Sequence, residues 1–438
     1  MSARNRELFA LIPAALLVTA GFTAIFIQQD ELLSNVSLTY GAIFLGLCFA
    51  AHMIVRFTLP HADPYLFPLV AVLASFGLVM IYRIDEELAR EQAQWFVVGL
   101  VVFGATIVWL RDYTVLERYR YTIALAGIAL LVLPRVPGIG AQVNGAYLGV
   151  KLGPINFQPA ELAKIAIVIF LASYLRDTRQ VLVQGGKRIA GRIPLPRLKD
   201  LGPLLVVWGV AMLLLVFIRD LGSSLMFFGA FLALLYVATN QLRWVTIGLG
   251  MFFAGAWFFT ATVGHVQGRI DAWRDPFDPE LYEAQVSGSY QIAQSLFAQA
   301  DGGLFGTGFG QAQLTLPCGA EECPRILPAA ETDLIYALIT NELGLFGAAA
   351  VIAVYLLFAE RGFKTAMLSN DAFSKLLAAG LAAVFALQVF VIVGGVTKLI
   401  PLTGVTMPFV SYGGSSIVAN FILLALLLTV SNRARSPR

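Results

Sequence analysis

The sequence has few charged residues, few cysteines and few histidines, and each shortage excludes a class of protein. Of its 438 residues, 13% are charged and 58% are hydrophobic, whereas soluble domains contain about 25% and about 45–50% of these types. This composition excludes a cytosolic enzyme, a disordered regulator and a nucleic-acid-binding protein. Three cysteines and three histidines are also too few for a haem chain, a zinc cluster or a disulfide scaffold.

Long apolar runs dominate the rest of the sequence, and the mean hydropathy is +0.78. A transmembrane helix needs about 20 mostly apolar residues, so we predict an all-α polytopic membrane protein. Twelve runs come near this length: Leu8–Gln28, Leu38–Val55, Tyr65–Tyr82, Ala93–Leu110, Tyr121–Pro134, Ala160–Leu175, Leu201–Ile218, Leu221–Thr239, Trp244–Val263, Leu334–Ala359, Leu376–Val396 and Met407–Val430. The fifth, which is short, and the sixth, which contains Glu161 and Lys164, fit least well. We expect no cleaved signal peptide, because the first run is long and no small-residue cleavage site follows it.

The basic residues predict the orientation of these spans. If the N-terminus is cytoplasmic, 20 of the 30 Lys and Arg residues lie in cytoplasmic segments and nine in outer loops. The positive-inside rule therefore places both termini in the cytoplasm. The same topology puts Gly264–Asp333, between spans nine and ten, on the outer face. Loops of this length are usually functional or disordered, and its aromatic residues favour a partly folded functional element with a short helix at Tyr290–Gln299.

Two of the three cysteines lie in this outer loop. Cys318 and Cys323 are five residues apart, on the side of the membrane where disulfides persist, so we predict a bridge between them. Two unpaired thiols are the alternative. A metal site is disfavoured, because no nearby His or further Cys completes a ligand set.

Several charged residues fall inside or beside the spans, where each costs about 2.5–3.5 kcal/mol on insertion scales. Glu161 and Lys164 are three residues apart and share a helix face. They are either a self-neutralising structural pair or the lining of a polar cavity that opens to the outer face. Asp220 and Asp333 each precede a span, as a helix cap or a functional carboxylate would.

The outer loop concentrates polar residues around GRIDAWRDPFDP. Arg269 and Arg274 could hold phosphates. Asp275 and Asp278 each precede a proline, which favours an extended backbone and a carboxylate projecting from a rigid turn. Such a carboxylate suits a general base or a divalent-cation ligand. Common Asp-Pro turn chemistry is the competing explanation.

The stretch IPLTGVTMPFVSYGGSS clusters prolines and glycines at the start of span twelve, just after Lys398. A broken helix of this kind exposes backbone groups, which membranes tolerate only where the backbone is buried in protein or lines a cavity. This pattern alone fits a transporter as well as an enzyme.

Four motifs, in this order, resemble the SEDS family (shape, elongation, division and sporulation), the group that includes RodA and FtsW. They are FQPAELAKI, DLGSS, DPFDP with YQIAQSLFAQADGGLFGTGFG, and ETDLIYALITNELGLFG with PLTGVTMPFVSYGGSS. The resemblance runs from about Tyr65 to Val430 and implies a ten-helix core preceded by a two-helix extension. The expected division is 1–64 for the extension, 65–263 for helices three to nine, 264–333 for the outer catalytic loop, and 334–438 for the last three helices and a cytoplasmic tail.

The resemblance also implies an activity. Family members are peptidoglycan glycosyltransferases that polymerise lipid II on the outer face of the bacterial cytoplasmic membrane and release undecaprenyl pyrophosphate. A class B penicillin-binding protein is the implied partner, alongside lipid II and membrane lipids. No nucleotide is expected, since the donor carries its own activated linkage. The resemblance leaves open whether elongation or division is served, although Thr403, where some division-type members carry lysine, favours the RodA branch.

The family's loop aspartate corresponds to Asp278, but the turn is one residue shorter here, so Asp275 remains a rival. Arg269, Lys398 or a divalent cation, Mg or Mn, held by loop carboxylates would neutralise the pyrophosphate. Residues implied to line or shape the cavity are Glu161, Lys164, Asp220, Gln294, Ser295, Asp333, Ser411 and Gly413.

Two other functions compete with polymerisation. A lipid-linked precursor flippase or carrier would also have twelve spans, buried charges and interrupted helices. An inactive scaffold for a penicillin-binding protein is the third possibility. A carboxylate on a rigid outer turn favours the polymerase, because neither competitor needs one.

Overall fold

The computed structural model describes residues 2–28, 35–143, 146–152, 155–184, 188–189, 193–194, 220–284, 288–315 and 325–437, with single helical positions at 202, 206, 209, 210 and 213. The helices before the outer loop are α1 (Ala3–Ala10), α2 (Ile12–Gln28), α3 (Asn35–Thr58), α4 (Leu66–Ile84), α5 (Glu86–Trp109), α6 (Val115–Arg118), α7 (Arg120–Val132), α8 (Pro159–Gln184), α9 (Leu221–Thr239) and α10 (Leu242–Thr262). Those that follow are α11 (Gly264–Arg274), α12 (Pro279–Glu283), α13 (Tyr290–Gly302), α14 (Ile335–Leu368), α15 (Ala372–Val396) and α16 (Gly414–Arg435).

Nine helices in the described ranges are long and apolar enough to cross a membrane, and they coincide with nine of the twelve predicted spans. The predicted span Tyr121–Pro134 is α7 followed by a 3-10 turn at Leu133–Arg135. The predicted span Ala160–Leu175 lies within α8. Leu201–Ile218 falls almost entirely outside the described residues. The all-α polytopic architecture is therefore confirmed, and the outer loop contains the predicted helix as α13.

Both chain ends contact the same short segment between α3 and α4. Arg4 donates to the carbonyl of Ala62, and Arg435 donates to the Asp63 carboxylate at 2.6 Å. The beginning of α1 and the end of α16 therefore lie on one side of the bundle. A chain that crosses the membrane an even number of times has both ends on the same side.

The structure contains strands that the sequence did not predict. Gly140–Val143, Ala146–Leu152 and Ile155–Phe157 form an antiparallel sheet in that order between α7 and α8. A second pair joins Arg188–Ile189 to Ile193–Pro194. Strands of two to seven residues give too little alternation of polar and apolar residues to be recognised between two membrane helices. The first sheet ends directly before α8 and so fixes where that helix begins.

Helix α14 is broken at Gly344, where φ is 67° and ψ is −172°. The segment after α13 binds the freed backbone groups: Thr307 N–H donates to the Asn341 carbonyl at 2.9 Å, and Leu345 N–H donates to the Gly303 carbonyl at 3.0 Å. Beside the break, Glu342 pairs with Arg83 at 2.7 Å and accepts from the Gly310 N–H at 2.9 Å. The outer loop is thus bonded to the interrupted helix instead of lying free above it.

We predict that Gly344→Ala destabilises the protein strongly. The backbone at this position is one that essentially only glycine adopts, at a cost of about 1–3 kcal/mol for other residues. A Cβ there would also lie 2.4 Å from Gly306 N and Leu304 O. Thermal unfolding in detergent should show a clearly lower Tm. Gly255→Ala in α10 is the control, because a Cβ there meets nothing within 4 Å, and an equal Tm for both variants would contradict the prediction.

Candidate active site

Side chains from four helices bind the carbonyl groups of residues 402–413, which we call the 402–413 segment. This segment joins α15 to α16 and is not helical, so its backbone groups need partners within the bundle. The contacts are Arg269 Nη1 to Leu402 O at 3.3 Å, Gln388 Nε2 to Thr406 O at 2.8 Å, Tyr355 Oη to Pro408 O at 2.6 Å and Gln92 Nε2 to Ser411 O at 3.0 Å. The predicted broken helix start is therefore present, and its backbone is held by side chains.

The predicted pair Glu161 and Lys164 is linked to this segment. Lys164 Nζ donates to Glu161 Oε2 at 2.5 Å and to Gln388 Oε1 at 2.7 Å. Both charged side chains are buried, with relative exposures of 5% and 2%. Gln388 uses its carbonyl oxygen for Lys164 and its amide nitrogen for Thr406 O. The ion pair therefore also supports the segment and does more than neutralise itself.

A second charged cluster consists of Arg269, from α11, with Asp220 and Asp333, and both carboxylates interact electrostatically with the Arg269 guanidinium. Asp220 caps α9 by accepting from Ser223 N–H at 2.9 Å and from its hydroxyl at 2.6 Å. Burial raises the pKa of Asp220, and the Ser223 hydrogen bonds and Arg269 oppose that shift. Burial also raises the pKa of Asp333 to about 6 and lowers that of Arg269.

The predicted residues Ser411 and Gly413 lie at the end of the segment that precedes α16. Ser411 Oγ donates to Thr332 O at 2.7 Å, beside Asp333. Gly413 N–H donates to Gln92 Oε1 at 3.1 Å. Since Gln92 also donates to the Ser411 carbonyl, its single amide fixes both residues just before α16.

Of three further predicted residues, Ser295 and Lys398 connect the outer-loop helices to the end of α15 and the residues just after it, whereas Gln294 joins α13 to α12. Ser295 on α13 donates to Val396 O at 2.8 Å, and Gln294 donates to the Tyr282 hydroxyl at 2.7 Å. Lys398 donates through Nζ to Arg274 O at 3.3 Å. No acidic partner of Lys398 occurs among the contacts of the described residues.

Asp275 and Asp278 lie in the turn between α11 and α12. Asp278 caps α12: its Oδ1 accepts from Glu280 N–H at 2.9 Å and from Leu281 N–H at 3.3 Å. Asp275 Oδ1 accepts from Phe277 N–H at 3.3 Å. Asp278 is only partly buried, as Arg269 and Asp333 are, and no ion pair joins it to either charged cluster in the described contacts.

Two predictions are not tested by this geometry. Cys318 and Cys323 lie outside the described residues, so their disulfide remains a prediction. In the described part of the chain, no group of three or more His, Cys, Asp or Glu side chains is arranged to hold a metal ion. Because Mg²⁺ is often held by only one or two carboxylates together with substrate phosphates, the binding of Mg or Mn by loop carboxylates stays a prediction.

Comparison with known proteins agrees with these motifs and this fold. Residues 63–436 match the Cell cycle protein family of FtsW, RodA and SpoVE. The chain belongs to this family.

Two named relatives and one solved structure are also similar to this FtsW/RodA/SpoVE chain. The chain is 41% identical to peptidoglycan glycosyltransferase RodA of Mycobacterium tuberculosis, in an alignment that covers 99% of this chain and 92% of that one. It is 29% identical to a probable peptidoglycan glycosyltransferase FtsW of Geobacter sp., over 85% of this chain and 97% of that one. A solved peptidoglycan synthase complex, described for its coordination of polymerization and crosslinking, matches with a TM-score of 0.66 and 25% identity, over 86% of this chain and 99% of that one.

Sequence reasoning missed the two glutamines that hold the 402–413 segment in this FtsW/RodA/SpoVE chain. Gln388 carried a signal, because it is a single amide in the charge-free run Leu376–Val396, and a polar group in such a run needs a buried partner. Gln92 carried none, since it lies in the polar first turns of α5, where exposed amides are ordinary.

We predict that the cost of breaking the Glu161–Lys164 pair comes from the charge left behind. Lys164→Met leaves a buried carboxylate without its cation, which typically costs about 3–5 kcal/mol. Glu161→Gln combined with Lys164→Met removes both charges and should recover most of the lost stability. Thermal unfolding of the two variants in detergent measures the difference. A double variant as unstable as the single one would contradict the prediction.

The raised pKa of Asp333 predicts a pH-dependent stability. The folded protein holds this proton more tightly than the unfolded chain, whose carboxyl has a pKa near 3.8. The ionised carboxylate therefore destabilises the fold above pH 6, and protonation removes this effect as the pH falls. The Tm of the wild type should rise relative to that of Asp333→Asn between about pH 7.5 and about pH 5. A constant difference across this range would contradict it.

Proposed function

We propose that this chain is a peptidoglycan glycosyltransferase that polymerises lipid II and releases undecaprenyl pyrophosphate. The observation that carries this function is the match along 99% of the chain to a relative named for this activity. The RodA relative is more similar in sequence than the FtsW relative and matches a larger share of this chain. Both comparisons favour the RodA branch, which serves elongation.

The polymerase would work on the outer face of the bacterial cytoplasmic membrane, with both termini in the cytoplasm. The excess of Lys and Arg in the segments on the terminal side supports this orientation. The outer loop, with α11, α12 and α13, then faces the side where the lipid-linked sugars are exposed. The partner would be a class B penicillin-binding protein, which a synthase coupling polymerization to crosslinking requires; the solved complex supports this choice.

Asp278 is the proposed general base. Both backbone hydrogen bonds use its Oδ1, so the carboxylate is fixed in orientation while its Oδ2 is left to accept a proton. It would take the proton of the acceptor sugar's 4-hydroxyl. That oxygen then attacks the anomeric carbon of the donor, the bond to the pyrophosphate breaks, and the anomeric configuration inverts. A general base in this position contributes about 10²–10⁴-fold to the rate.

Lys398 is the better placed of the two proposed cations for the leaving pyrophosphate. The charge of Arg269 is opposed by both Asp220 and Asp333, and its Nη1 also binds carbonyls of the 402–413 segment. Lys398 binds a carbonyl but no carboxylate in the described contacts. Its ammonium can therefore stabilise charge that develops on the leaving group, while Arg269 holds the segment and the two acids in place.

The test is lipid II polymerisation by the purified protein with its cognate penicillin-binding protein, whose transpeptidase is blocked. Asp278→Asn should lower the rate at least 100-fold, the lower end of a general base's contribution. Asparagine caps helices about as well as aspartate, so this variant keeps the turn and removes only the base. Asp275→Asn and Glu280→Gln, in the same turn and helix, should retain activity.

Each other outcome of this experiment has a definite meaning. Loss with Asp275→Asn alone would move the base to that residue. Equal activity of all variants would overturn a carboxylate base in this turn. A wild-type complex that makes no glycan would favour the flippase or scaffold.

A further inference from the structure

Two exposed phenylalanines form a tilted ring pair beside Asp278. The rings of Phe277, in the turn, and Phe297, on α13, lie 5.4 Å apart with an interplanar angle of 37°. Their relative exposures are 52% and 47%. Covering exposed rings stabilises the protein by about 25 cal/mol per Å² of apolar surface removed from water. A ligand with an apolar face would supply that cover.

Polar groups surround this pair. Phe277 is flanked in the turn by Asp275 and Asp278, whose carboxylates are described above. Gln294 lies three residues before Phe297, and Asp301 four residues after it, so both share its helix face. An acyl chain bound to this pair would be surrounded by carboxylates and an amide, whereas it needs apolar side chains around it. Carboxylates would also repel the phosphates of a membrane surface.

A saccharide fits this combination of groups. One face of a sugar ring consists of C–H groups, which pack on the electron-rich faces of aromatic rings. Its hydroxyl groups need donors and acceptors at the rim, as in other sites where apolar walls surround a few polar groups. The reacting hydroxyl must also come within about 3 Å of the Asp278 carboxylate. The sugar ring that carries this hydroxyl then lies close to Phe277, the residue before Asp278.

We propose that Phe277 and Phe297 form a binding platform for the acceptor sugar of the lipid-linked substrate. This assignment rests on the proposed polymerase function and adds to it the surface that positions the acceptor. The aromatic face holds the sugar ring, and Gln294 binds hydroxyl groups at its edge. The platform thereby presents the 4-hydroxyl to Asp278.

Kinetics of the complex with its partner test the platform. Phe277→Ala and Phe297→Ala should each raise the KM for lipid II about three- to tenfold, the value of one aromatic contact, and change kcat less. Phe277→Tyr keeps the ring and should behave as the wild type. Phe277→Leu keeps apolar volume without a flat face and should behave as the alanine variant. Phe305→Ala is the control: this ring is 80% exposed and forms a similarly tilted pair with Phe346, with ring centroids 5.4 Å apart.

Binding measured without turnover separates this inference from the proposed function. In the Asp278→Asn background, Phe277→Ala should weaken binding of lipid II about three- to tenfold and leave binding of undecaprenyl pyrophosphate, which has no sugar, unchanged. This comparison is valid whether or not the wild type makes glycan.

Three results would overturn the platform. If both lipids bind more weakly, the pair contacts the lipid chain or the membrane. If kcat alone falls and binding is unchanged, Phe277 only shapes the turn. If Phe305→Ala has the same effect, the loss is not specific to this pair.

Discussion

The non-helical 402–413 segment imposes the constraint on which the site depends. Within an apolar bundle, a backbone group without a partner costs several kcal/mol. Gln92, Gln388, Tyr355 and Arg269 satisfy four carbonyl groups of this segment from four different helices. Because each of these side chains reaches the segment from its own helix, the relative positions of those helices and of the segment are fixed together.

The same contacts determine how the buried charges are held. Lys164 binds Gln388, which binds the segment, and Arg269 binds the segment while it opposes Asp220 and Asp333. Each charge in these two clusters therefore has an opposite charge near it, and Lys164, through Gln388, and Arg269, directly, are also linked to the backbone of the segment. Such arrangements add little net stability, since desolvation offsets the attraction. They orient the groups, and in a site that must bind a charged lipid this orientation is the useful property.

The sequence alone predicted nine of the membrane-spanning helices and the charged residues in or beside them. Apolar runs predicted nine helices now seen, and Glu161, Lys164 and Asp220 were identifiable because charges are costly in such runs. The break at Gly344 and the partners of Gln92 could not be predicted. A broken helix there requires the segment after α13 to supply its hydrogen bonds, and Gln92 bonds to backbone some 320 residues away. Contacts between neutral amides and distant carbonyls leave no pattern in the chain.

A placement away from the charged clusters suits Asp278 in its proposed role of general base. It has to be ionised before each reaction and must lose its proton to water afterwards, so it needs contact with solvent. Asp220, by contrast, is buried, with a relative exposure of 7%, and burial raises its pKa, which favours protonation. The Asp278 carboxylate is partly exposed to solvent and is held in one orientation by two backbone N–H groups. Under the proposed mechanism, the two requirements are met in different places: the charged clusters hold the 402–413 segment, and the loop carries the exchangeable proton.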